Sequence, residues 1–372
     1  MSKFSDFQLL PSLLESLKEQ GFTQPTEVQA RTLPALLKGD SVVAVSQTGS
    51  GKTLAYVLPM LHQLKSLEND GSSVERPGRP RGLVIVPGRE LGEQVGKVLK
   101  GLTHTTRLRV RTVLGGTKKQ IARQNVSGPL EILVATPGRL EQLLATGPLQ
   151  LDDIRMIVFD EADQLLDPGF LPVARRIIAA CSRRPQLAMF SATLPQSMDP
   201  IVGQFFTTAP LRVRTRGSQQ VVATLRTDNR AVANGRRVDV LTAALAEAPD
   251  VGTLLFSNTR GQCERIASWL EDAGVPYTTY MGEMDRQERR DNLARFSSGE
   301  VSVLLTTDLG GRGLDIERIG RVVNVHLPTD VNNYLHRVGR TARAGRSGQV
   351  INLVTERDAP LIEKLKRRER DR

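Results

Sequence analysis

The stretch Met156-Ile157-Val158-Phe159-Asp160-Glu161-Ala162-Asp163 carries the pattern that decides the fold. Its first four residues form an apolar run without alternation, which predicts a strand buried on both faces of a parallel sheet. The run ends in two adjacent carboxylates, Asp160 and Glu161. In nucleotide-hydrolysing proteins, a buried strand that ends in this way holds the magnesium ion and the attacking water. The stretch therefore predicts an α/β fold with a nucleotide site at the end of this strand.

Further apolar runs repeat this pattern along the chain and alternate with helical patterns. Because they are rich in Val, Ile and Leu, they predict more buried parallel strands, and the helices between them supply the crossovers. In the first half they are residues 41–45, 83–86, 132–135 and 187–190. In the second half they are residues 253–256, 301–305, 321–325 and 349–354.

The length of the chain and one break in this alternation predict two domains. A chain of 372 residues is too long for one compact core. Residues 208–234 are polar, rich in Arg and without the alternation, so they predict a linker. We therefore predict a first domain over residues 1–207, a second domain over residues 235–356 and a short basic tail over residues 357–372.

Charge and composition restrict the classes of partner. The formal net charge of +11 suits a polyanion such as nucleic acid, although a basic charge can also serve solubility alone. Aromatic residues make up only 4%, which favours contact with a sugar-phosphate backbone over base stacking. No apolar run is long enough to span a membrane, and Cys181 and Cys263 lack metal-ligand spacing. We therefore expect a cytoplasmic protein with free thiols and no membrane partner.

A phosphate-binding loop is predicted between the run 41–45 and a helical pattern that begins near Thr53. The segment reads Ser46-Gln47-Thr48-Gly49-Ser50-Gly51-Lys52-Thr53, with Ser46 where the usual pattern has Gly or Ala. Its glycines let successive N–H groups point into one concavity at a helix N-terminus. Lys52 would reach the β- and γ-phosphates of ATP, and the Thr53 hydroxyl would ligate Mg²⁺. The alternative is a Gly-rich turn with an incidental Lys.

The two carboxylates at the end of the strand receive separate roles. Asp160 would hold Mg²⁺ through water, and Glu161 would orient or activate the attacking water. The alternative is an acidic helix start favoured by the helix dipole. The phosphate loop upstream favours the first interpretation, because the two segments together make a complete phosphate and metal site.

With these segments, residues 4–346 resemble the DEAD-box ATP-dependent RNA helicases. Residues 21–29, Gly-Phe-Thr-Gln-Pro-Thr-Glu-Val-Gln, are similar to the adenine-reading motif of that family. The resemblance implies cofactor contacts by Gln24, hydrogen bonds from Gln29 to adenine, and stacking of Phe4 on the base. The alternative for Phe4 is a core anchor at the N-terminus.

Other segments of the first domain are similar to the RNA-backbone motifs of the family. They are Pro87–Leu91, Gly115–Gly116 and Thr136–Arg139. The resemblance implies RNA contacts by Arg89, Gly115, Gly116, Thr136 and Arg139. Ser191-Ala192-Thr193 is similar to the segment that links nucleotide state to RNA binding. In the family, the hydroxyls of Ser191 and Thr193 meet the acid that stands here at Asp163.

The second half continues the resemblance with segments 256–260, 287–290, 307–315 and 336–343. The residues implied are Asn258 and Thr307 for RNA, Gly282 and Asp315 for the ribose, and Gln287, Arg290, Arg312, His336 and Arg337 for coupling between nucleotide and RNA.

The last of these segments also has a physical reason of its own. Arg337, Arg340 and Arg343 are three residues apart, so on a helix they form one basic ridge. A planar, always-charged guanidinium stabilises the charge that phosphoryl transfer spreads over the phosphate oxygens. The resemblance makes Arg340 and Arg343 arginine fingers and lets Arg337 bridge back to the acids. The alternative is a solvated basic helix face.

Some positions depart from the family pattern without deleting a catalytic side chain. Gly88 stands where the family usually has Thr, and Gly92 where it usually has Ala. Gly310-Gly311 replaces a pair of Ala residues and should loosen the segment that contains Thr307. Ala342 replaces a Gly between the fingers.

The resemblance implies two RecA-like domains that bind ATP and Mg²⁺ and handle RNA with little sequence preference. Because Lys52, Asp160 and Glu161 lie on one domain and the fingers on the other, hydrolysis should require closure and drive local strand separation. We expect a monomer, with RNP or ribosome-assembly proteins as candidate partners, and a tail that either grasps RNA or is a frayed helix. The alternatives are a non-unwinding RNA clamp, an inactive scaffold and, more weakly, a protein that acts on DNA.

Overall fold

The structure is a computed structural model that describes residues 3–47, 49–166, 169–194, 198–215, 225–233, 235–248, 250–282, 284–311, 316, 318–342 and 347–370. The chain divides into two units, Met1–Gln219 and Gln220–Arg372. Each unit is built on one sheet with helices on its two faces, which confirms the predicted α/β class.

In the described part of unit 1, the sheet has seven strands. They are β1 (Val42–Val45), β2 (Gly82–Ile85), β3 (Val110–Val113), β4 (Ile132–Ala135), β5 (Met156–Asp160), β6 (Gln186–Ser191) and β7 (Leu211–Arg214). Their order across the sheet is β3-β4-β2-β5-β6-β1-β7, and neighbouring strands pair in parallel.

The helices of unit 1 follow a short 3-10 helix at Phe4–Phe7. They are α1 (Pro11–Glu19), α2 (Glu27–Lys38), α3 (Lys52–Asn69), α4 (Arg89–Thr106), α5 (Lys119–Asn125), α6 (Pro137–Ala145), α7 (Ala162–Leu165), α8 (Leu171–Ala179) and α9 (Asp199–Gly203).

The sheet of unit 2 has six strands in the order β10-β11-β9-β12-β13-β8, again paired in parallel. They are β8 (Leu225–Ala231), β9 (Gly252–Ser257), β10 (Tyr277–Tyr280), β11 (Val303–Thr307), β12 (Ile319–Asn324) and β13 (Gly348–Val354). The helices are α10 (Arg237–Ala246), α11 (Arg260–Asp272), α12 (Arg286–Ser298), α13 (Asp308–Gly311), α14 (Val331–Val338) and, after a 3-10 helix at Glu356–Asp358, α15 (Ala359–Arg370).

Each sheet separates two apolar cores, because successive side chains of a strand point to opposite faces. In β1, Val42 and Ala44 join one core of unit 1, and Val43 and Val45 join the other. Burial on both faces explains why the interior strands read as continuous apolar runs. Among the described residues, no helix is both long and apolar enough to cross a membrane.

The stretch predicted as a linker, residues 208–234, contains two strands. β7 pairs with β1 in unit 1, and β8 pairs with β13 in unit 2. The tail also contains regular structure, because Leu361 of α15 is buried and Leu365 packs against the same core of unit 2. The described part of the tail is therefore a packed helix rather than a frayed one.

Gly310 lies in a tighter environment than its sequence suggests. A Cβ atom added at this position would lie 2.3 Å from the backbone oxygen of Tyr280 and 2.7 Å from Oγ1 of Thr306. Contacts this short do not occur between a Cβ and a backbone oxygen, so an Ala at this position would require the backbone at Tyr280 to shift. The expectation that Gly310 loosens its segment is therefore wrong, because this glycine allows close packing against β10.

We predict that Gly310→Ala lowers the free energy of unfolding of unit 2 by about 1–3 kcal/mol, because the backbone of Tyr280 must move to admit the methyl group. Urea denaturation of the whole chain measures the change. Gly261→Ala is the matched control, since its added Cβ would meet nothing within 4 Å. Equal stability of the two variants would contradict the close approach at Gly310.

Candidate active site

The predicted phosphate loop follows β1 and ends where α3 begins. Gly49 and Gly51 have φ angles of +76° and +88°, which glycine adopts without strain. The Nζ atom of Lys52 donates to the backbone oxygens of Ser46 and Gln47, each at 2.8 Å. The Ser46 and Ser50 hydroxyls are hydrogen-bonded to each other at 2.8 Å. The loop therefore places an ammonium group beside a helix N-terminus, the arrangement that binds phosphate; Thr48 lies outside the described residues.

The side chain of Gln29 lies directly over this loop. Its amide nitrogen donates to the backbone oxygen of Gly51 at 2.9 Å, and its amide oxygen accepts from the backbone N–H of Thr26. A Cβ atom at position 51 would lie 2.4 Å from that amide nitrogen, so the close contact requires glycine. The segment predicted to read adenine and the phosphate loop are therefore in direct contact.

The other two residues that the resemblance assigns to the nucleotide lie in different surroundings. Gln24 is exposed on the loop before α2. The Phe4 side chain is only 4% exposed and belongs to the apolar core that contains Leu9 and Leu13. This burial is what the core-anchor alternative for Phe4 expects, and its stacking on a base stays a prediction.

Asp160 is buried at the end of β5 and is held by a tyrosine. The Tyr56 hydroxyl donates to Oδ2 of Asp160 at 2.8 Å, and the backbone N–H of Glu161 donates to Oδ1. Thr53 lies one helical turn before Tyr56 on α3. Tyr56 therefore holds the carboxylate of one of the two residues predicted to bind Mg²⁺.

Burial raises the pKa of Asp160 to about 6, against the opposing effect of the Lys52 charge, and the Tyr56 hydrogen bond limits the rise. Burial, reinforced by the Asp160 charge, also raises the pKa of Tyr56 well above its ordinary value. The tyrosine therefore stays protonated and donates its hydrogen bond at any working pH.

Glu161 has a backbone conformation that is unusual for its residue type. Its φ angle is +52°, in the left-handed region that non-glycine residues adopt at a cost of about 1–2 kcal/mol. Its Oε2 atom accepts from Nε2 of Gln164 at 2.7 Å. This turn directs the chain from β5 into α7 and places the Glu161 carboxylate beside the strand end.

Asp163 meets the segment predicted to couple nucleotide and RNA. The Thr193 hydroxyl, just after β6, donates to Oδ2 of Asp163. The Ser191 hydroxyl donates to the backbone oxygen of Thr193 at 2.5 Å and thereby holds that residue in place. The structure thus brings together the three residues that the sequence assigned to coupling in this unit.

The predicted RNA-contacting residues of unit 1 also lie close together. Nη1 of Arg89 donates to the backbone oxygen of Gly115 at 2.9 Å. Arg139 donates to the backbone oxygen of Thr117, one residue after Gly116. Thr136 follows β4 as the N-cap of α6, and a Cβ atom at Gly115 would lie 3.9 Å from its hydroxyl. The segments after β2, β3 and β4 therefore form one surface at the carboxyl ends of these strands.

In unit 2, Arg337 is the centre of a buried hydrogen-bond network. Its side chain is 1% exposed and forms a two-point salt bridge with Asp308, at 2.5 and 2.6 Å. The remaining donors reach the Asn258 side chain at 2.7 Å, the Asn324 side chain at 3.2 Å and the backbone oxygen of His326 at 2.7 Å. Each of the five N–H groups of this guanidinium therefore has an acceptor within its own unit.

The remaining predicted residues of unit 2 occupy several positions. Arg340 is buried and donates from Nε to the backbone oxygen of His336, while Thr307 accepts from the backbone N–H of Gly310. Gln287 and Arg290 are exposed on α12, and Gly282 is exposed on the loop before it. Arg312, Asp315 and Arg343 lie outside the described residues, and their assignments stay predictions.

At the positions that depart from the family pattern, the structure shows how much room the backbone has and which conformation it adopts. At Gly88 an added Cβ would meet only the Glu90 side chain, at 3.8 Å, so the position has room for a larger residue. At Gly92 it would lie 2.3 Å from a methyl carbon of Leu114. Ala342 has a φ angle of +55°, a conformation that suits the usual glycine better.

Comparisons with known proteins agree with this geometry. The sequence model of the DEAD/DEAH box helicase family matches residues 26–201, and that of the helicase conserved C-terminal domain matches residues 236–345. The chain is 33% identical over 368 residues to the ATP-dependent RNA helicase SrmB of Escherichia coli, covering 99% of this chain and 82% of that protein. It is 33% identical over 358 residues to the ATP-dependent rRNA helicase RRP3 of Scheffersomyces stipitis, covering 96% of this chain and 72% of that protein.

A solved structure is similar over the whole chain. Dbp5 of S. cerevisiae, bound to RNA and ADP BeF3, gives a TM-score of 0.84 at 27% identity and covers 99% of this chain and 93% of that one. The chain therefore belongs to the DEAD-box family of ATP-dependent RNA helicases, with two RecA-like domains, and is an ATP-hydrolysing enzyme.

Tyr56 is a site residue that the sequence interpretation missed. It lies three residues after Thr53 on α3, so the two side chains share one face of the helix. That spacing is a usable signal, but the partner of Tyr56 is 104 residues away in the sequence. A buried tyrosine at this spacing could only have been assigned to the apolar core.

We predict that Tyr56→Phe raises the Mg²⁺ concentration needed for half-maximal ATPase activity, by about fivefold at pH 6.5 and less at pH 8.5. The hydrogen bond favours the charged carboxylate, so its loss raises the pKa of Asp160 above about 6. Protons then compete with the cation at the lower pH. Tyr277→Phe, which removes an exposed hydrogen bond to Glu271, is the matched control. Equal Mg²⁺ dependence of Tyr56→Phe and wild type at both pH values would contradict the role of the tyrosine.

Proposed function

We propose that the chain is an RNA-stimulated ATPase that binds ATP and Mg²⁺ in unit 1, closes on RNA and separates short duplexes locally. The observation that carries this proposal is the buried hydrogen bond of Tyr56 to Asp160 at the end of β5, together with the Lys52 loop. The relatives named RNA helicases and the RNA-bound Dbp5 support RNA as the partner. The RRP3 relative, named an rRNA helicase, supports RNP particles as the setting, in which we propose that the chain acts as a monomer.

The side chains of unit 1 fit ATP and Mg²⁺. Thr53 offers a hydroxyl and Asp160 a carboxylate, the hard oxygen ligands that Mg²⁺ prefers. The described residues contain no cluster of His, Cys, Asp and Glu large enough to hold a metal by itself, so phosphate oxygens and water would complete the coordination. When bound, Mg²⁺ would neutralise charge on the phosphate oxygens.

The residues then divide the chemistry among themselves. Lys52 exchanges the backbone oxygens of Ser46 and Gln47 for phosphate oxygens, and Glu161 orients the attacking water and accepts its proton. Arg340 stabilises the charge on the transferred phosphoryl group. Since Arg340 belongs to unit 2, ATP hydrolysis requires side chains of both units.

We predict that Glu161→Gln lowers kcat for ATP hydrolysis in saturating RNA by about 10²–10⁴-fold, because the amide cannot accept the proton of the water. ATP affinity should stay near wild type, since the Lys52 loop is unchanged. Phosphate release and binding of a fluorescent ATP analogue measure the two quantities. Glu141→Gln, which removes a surface charge, is the control. Equal hydrolysis by Glu161→Gln and wild type would show that the assignment is wrong.

Strand separation is tested beside ATP turnover. We expect the wild-type chain to separate a short RNA duplex at a rate that depends on ATP and follows the ATPase rate. RNA-stimulated turnover without strand separation would overturn the unwinding activity and leave an RNA clamp. Equal stimulation by single-stranded DNA would overturn the preference for RNA.

We predict that Thr193→Val reduces the stimulation of ATPase by RNA about fivefold and leaves ATP binding unchanged, because it removes one hydrogen bond to Asp163. Asp163→Ala should reduce the stimulation of ATPase by RNA more strongly and likewise leave ATP binding unchanged. Thr32→Val is the matched control, since its hydroxyl bonds only within α2, to the backbone oxygen of Val28. Loss of ATP binding in Asp163→Ala would move Asp163 from coupling into the nucleotide site.

A further inference from the structure

Three asparagine side chains cross neighbouring strands of unit 2 in one row. Asn324 of β12, Asn352 of β13 and Asn229 of β8 are direct partners in the strand register. Nδ2 of Asn324 donates to Oδ1 of Asn352 at 2.8 Å, and Nδ2 of Asn352 donates to Oδ1 of Asn229 at 2.7 Å. We call this row the asparagine ladder. It runs from the interior of the sheet to its edge strand, where Asn229 is exposed.

Helix α14 contacts the ladder at two points. Tyr334 accepts at its hydroxyl from Nδ2 of Asn352 at 3.0 Å, and Arg337 donates from Nη1 to Oδ1 of Asn324 at 3.2 Å. Tyr334 and Arg337 are three residues apart and therefore share one face of the helix. The ladder thus fixes both the position of α14 over the sheet and the rotation of the helix about its own axis.

Packing alone does not account for these amides. Asn324 is 0% and Asn352 is 1% exposed, while their neighbours Val322 and Val350 are ordinary members of the apolar core. A buried amide must be fully hydrogen-bonded to avoid a cost that an apolar residue of similar size does not carry. The amides are therefore explained by what they hold: Asn324 holds the guanidinium of Arg337, and Asn352 holds Asn324 and the Tyr334 hydroxyl.

Beyond Arg337 the network continues to the predicted RNA-contacting residues. The guanidinium holds the side chain of Asn258 and that of Asp308, which directly follows Thr307. Asn258 also donates from Nδ2 to the backbone oxygen of Leu327 at 2.8 Å, so its position is set on both sides. One uninterrupted row of hydrogen bonds therefore connects edge strand β8 to Asn258 and to the end of β11.

We propose that Asn324 and Asn352 are positioning residues: the asparagine ladder orients Arg337 so that Asn258 and Thr307 stand ready for the RNA backbone. This inference rests on the proposed function. The ladder also ties strand β8, the first described segment of unit 2, to these residues. An edge strand has only one neighbour, and the amide pair between Asn352 and Asn229 fixes its register against slipping.

The test uses the full chain with Asn324 and Asn352 both replaced by Leu. Replacing both partners together avoids stranding one amide in the core, so the variant should fold. We expect the RNA concentration for half-maximal ATPase activity to rise about fivefold or more, with kcat in saturating RNA changed less than about twofold. Ile351→Ala is the matched control, since it weakens packing in the same strand and touches the opposite core.

Amide hydrogen exchange provides a readout that does not depend on RNA. Exchange in segments 256–260 and 305–310 should become faster in the double variant and stay near wild type in Ile351→Ala. The inference fails if both variants change the half-saturating RNA concentration and the exchange rates equally. It also fails if the double variant changes neither quantity. In both cases the ladder would contribute only to packing. If wild type shows no RNA stimulation, the proposed function fails, and the exchange data alone then decide whether the ladder positions Arg337.

Discussion

Parallel pairing of the strands is the constraint on which both units depend. Parallel strands run in the same direction and are joined by crossovers. The carboxyl ends of all strands in such a sheet therefore lie at the same edge. In unit 1 this rule brings the segments after β1, β5 and β6 together, although they are far apart in the sequence. In unit 2 it does the same for the ends of β9 and β11. The candidate functional residues of the chain therefore lie in the segments that follow the carboxyl ends of the strands.

Buried polar groups at these edges are held by partners rather than by the apolar core. Asp160 has Tyr56 and a backbone N–H, and Arg337 has an acceptor for every donor. Removing one partner of a buried charge costs about 3–5 kcal/mol, since the other charge is left in a medium of low polarity. Such sites are rigid before any ligand arrives, which limits the reorganisation that binding must supply.

Residue patterns predicted the interior of both sheets and missed their edges. Every apolar run predicted as a strand is an interior strand, while β3, β7, β8 and β10 are the four edge strands. An edge strand is partly exposed and avoids long apolar runs that would attract other chains, so Leu225–Ala231 reads as a polar linker. Hydrogen-bond partners outside the family motifs were also beyond reach. The bonds of Asn352 to Asn229 and of Tyr56 to Asp160 span more than 100 residues, and nothing in the local sequence indicates them.

Where the motif residues stand could be predicted better than what they touch. The phosphate loop, the strand-end carboxylates and the meeting of Asp163 with Thr193 followed from order and resemblance. The inward position of Arg337, beside Asp308 and Asn258, did not follow, because arginines at helical spacing have the same sequence whether they face solvent or a carboxylate. The predicted ridge on one helix is wrong, since α14 ends at Val338, before Arg340.

The glycines at positions 92 and 310 differ in how freely the chain could change them. The obstacle at Gly92 is a methyl group of Leu114, which a smaller residue at position 114 would remove. The obstacle at Gly310 is a backbone oxygen, which every residue at position 280 would carry. A second-site substitution can therefore rescue the first position and not the second. At Gly92 the usual Ala can return through a change of one side chain, whereas at Gly310 its return requires a shift of the β10 backbone.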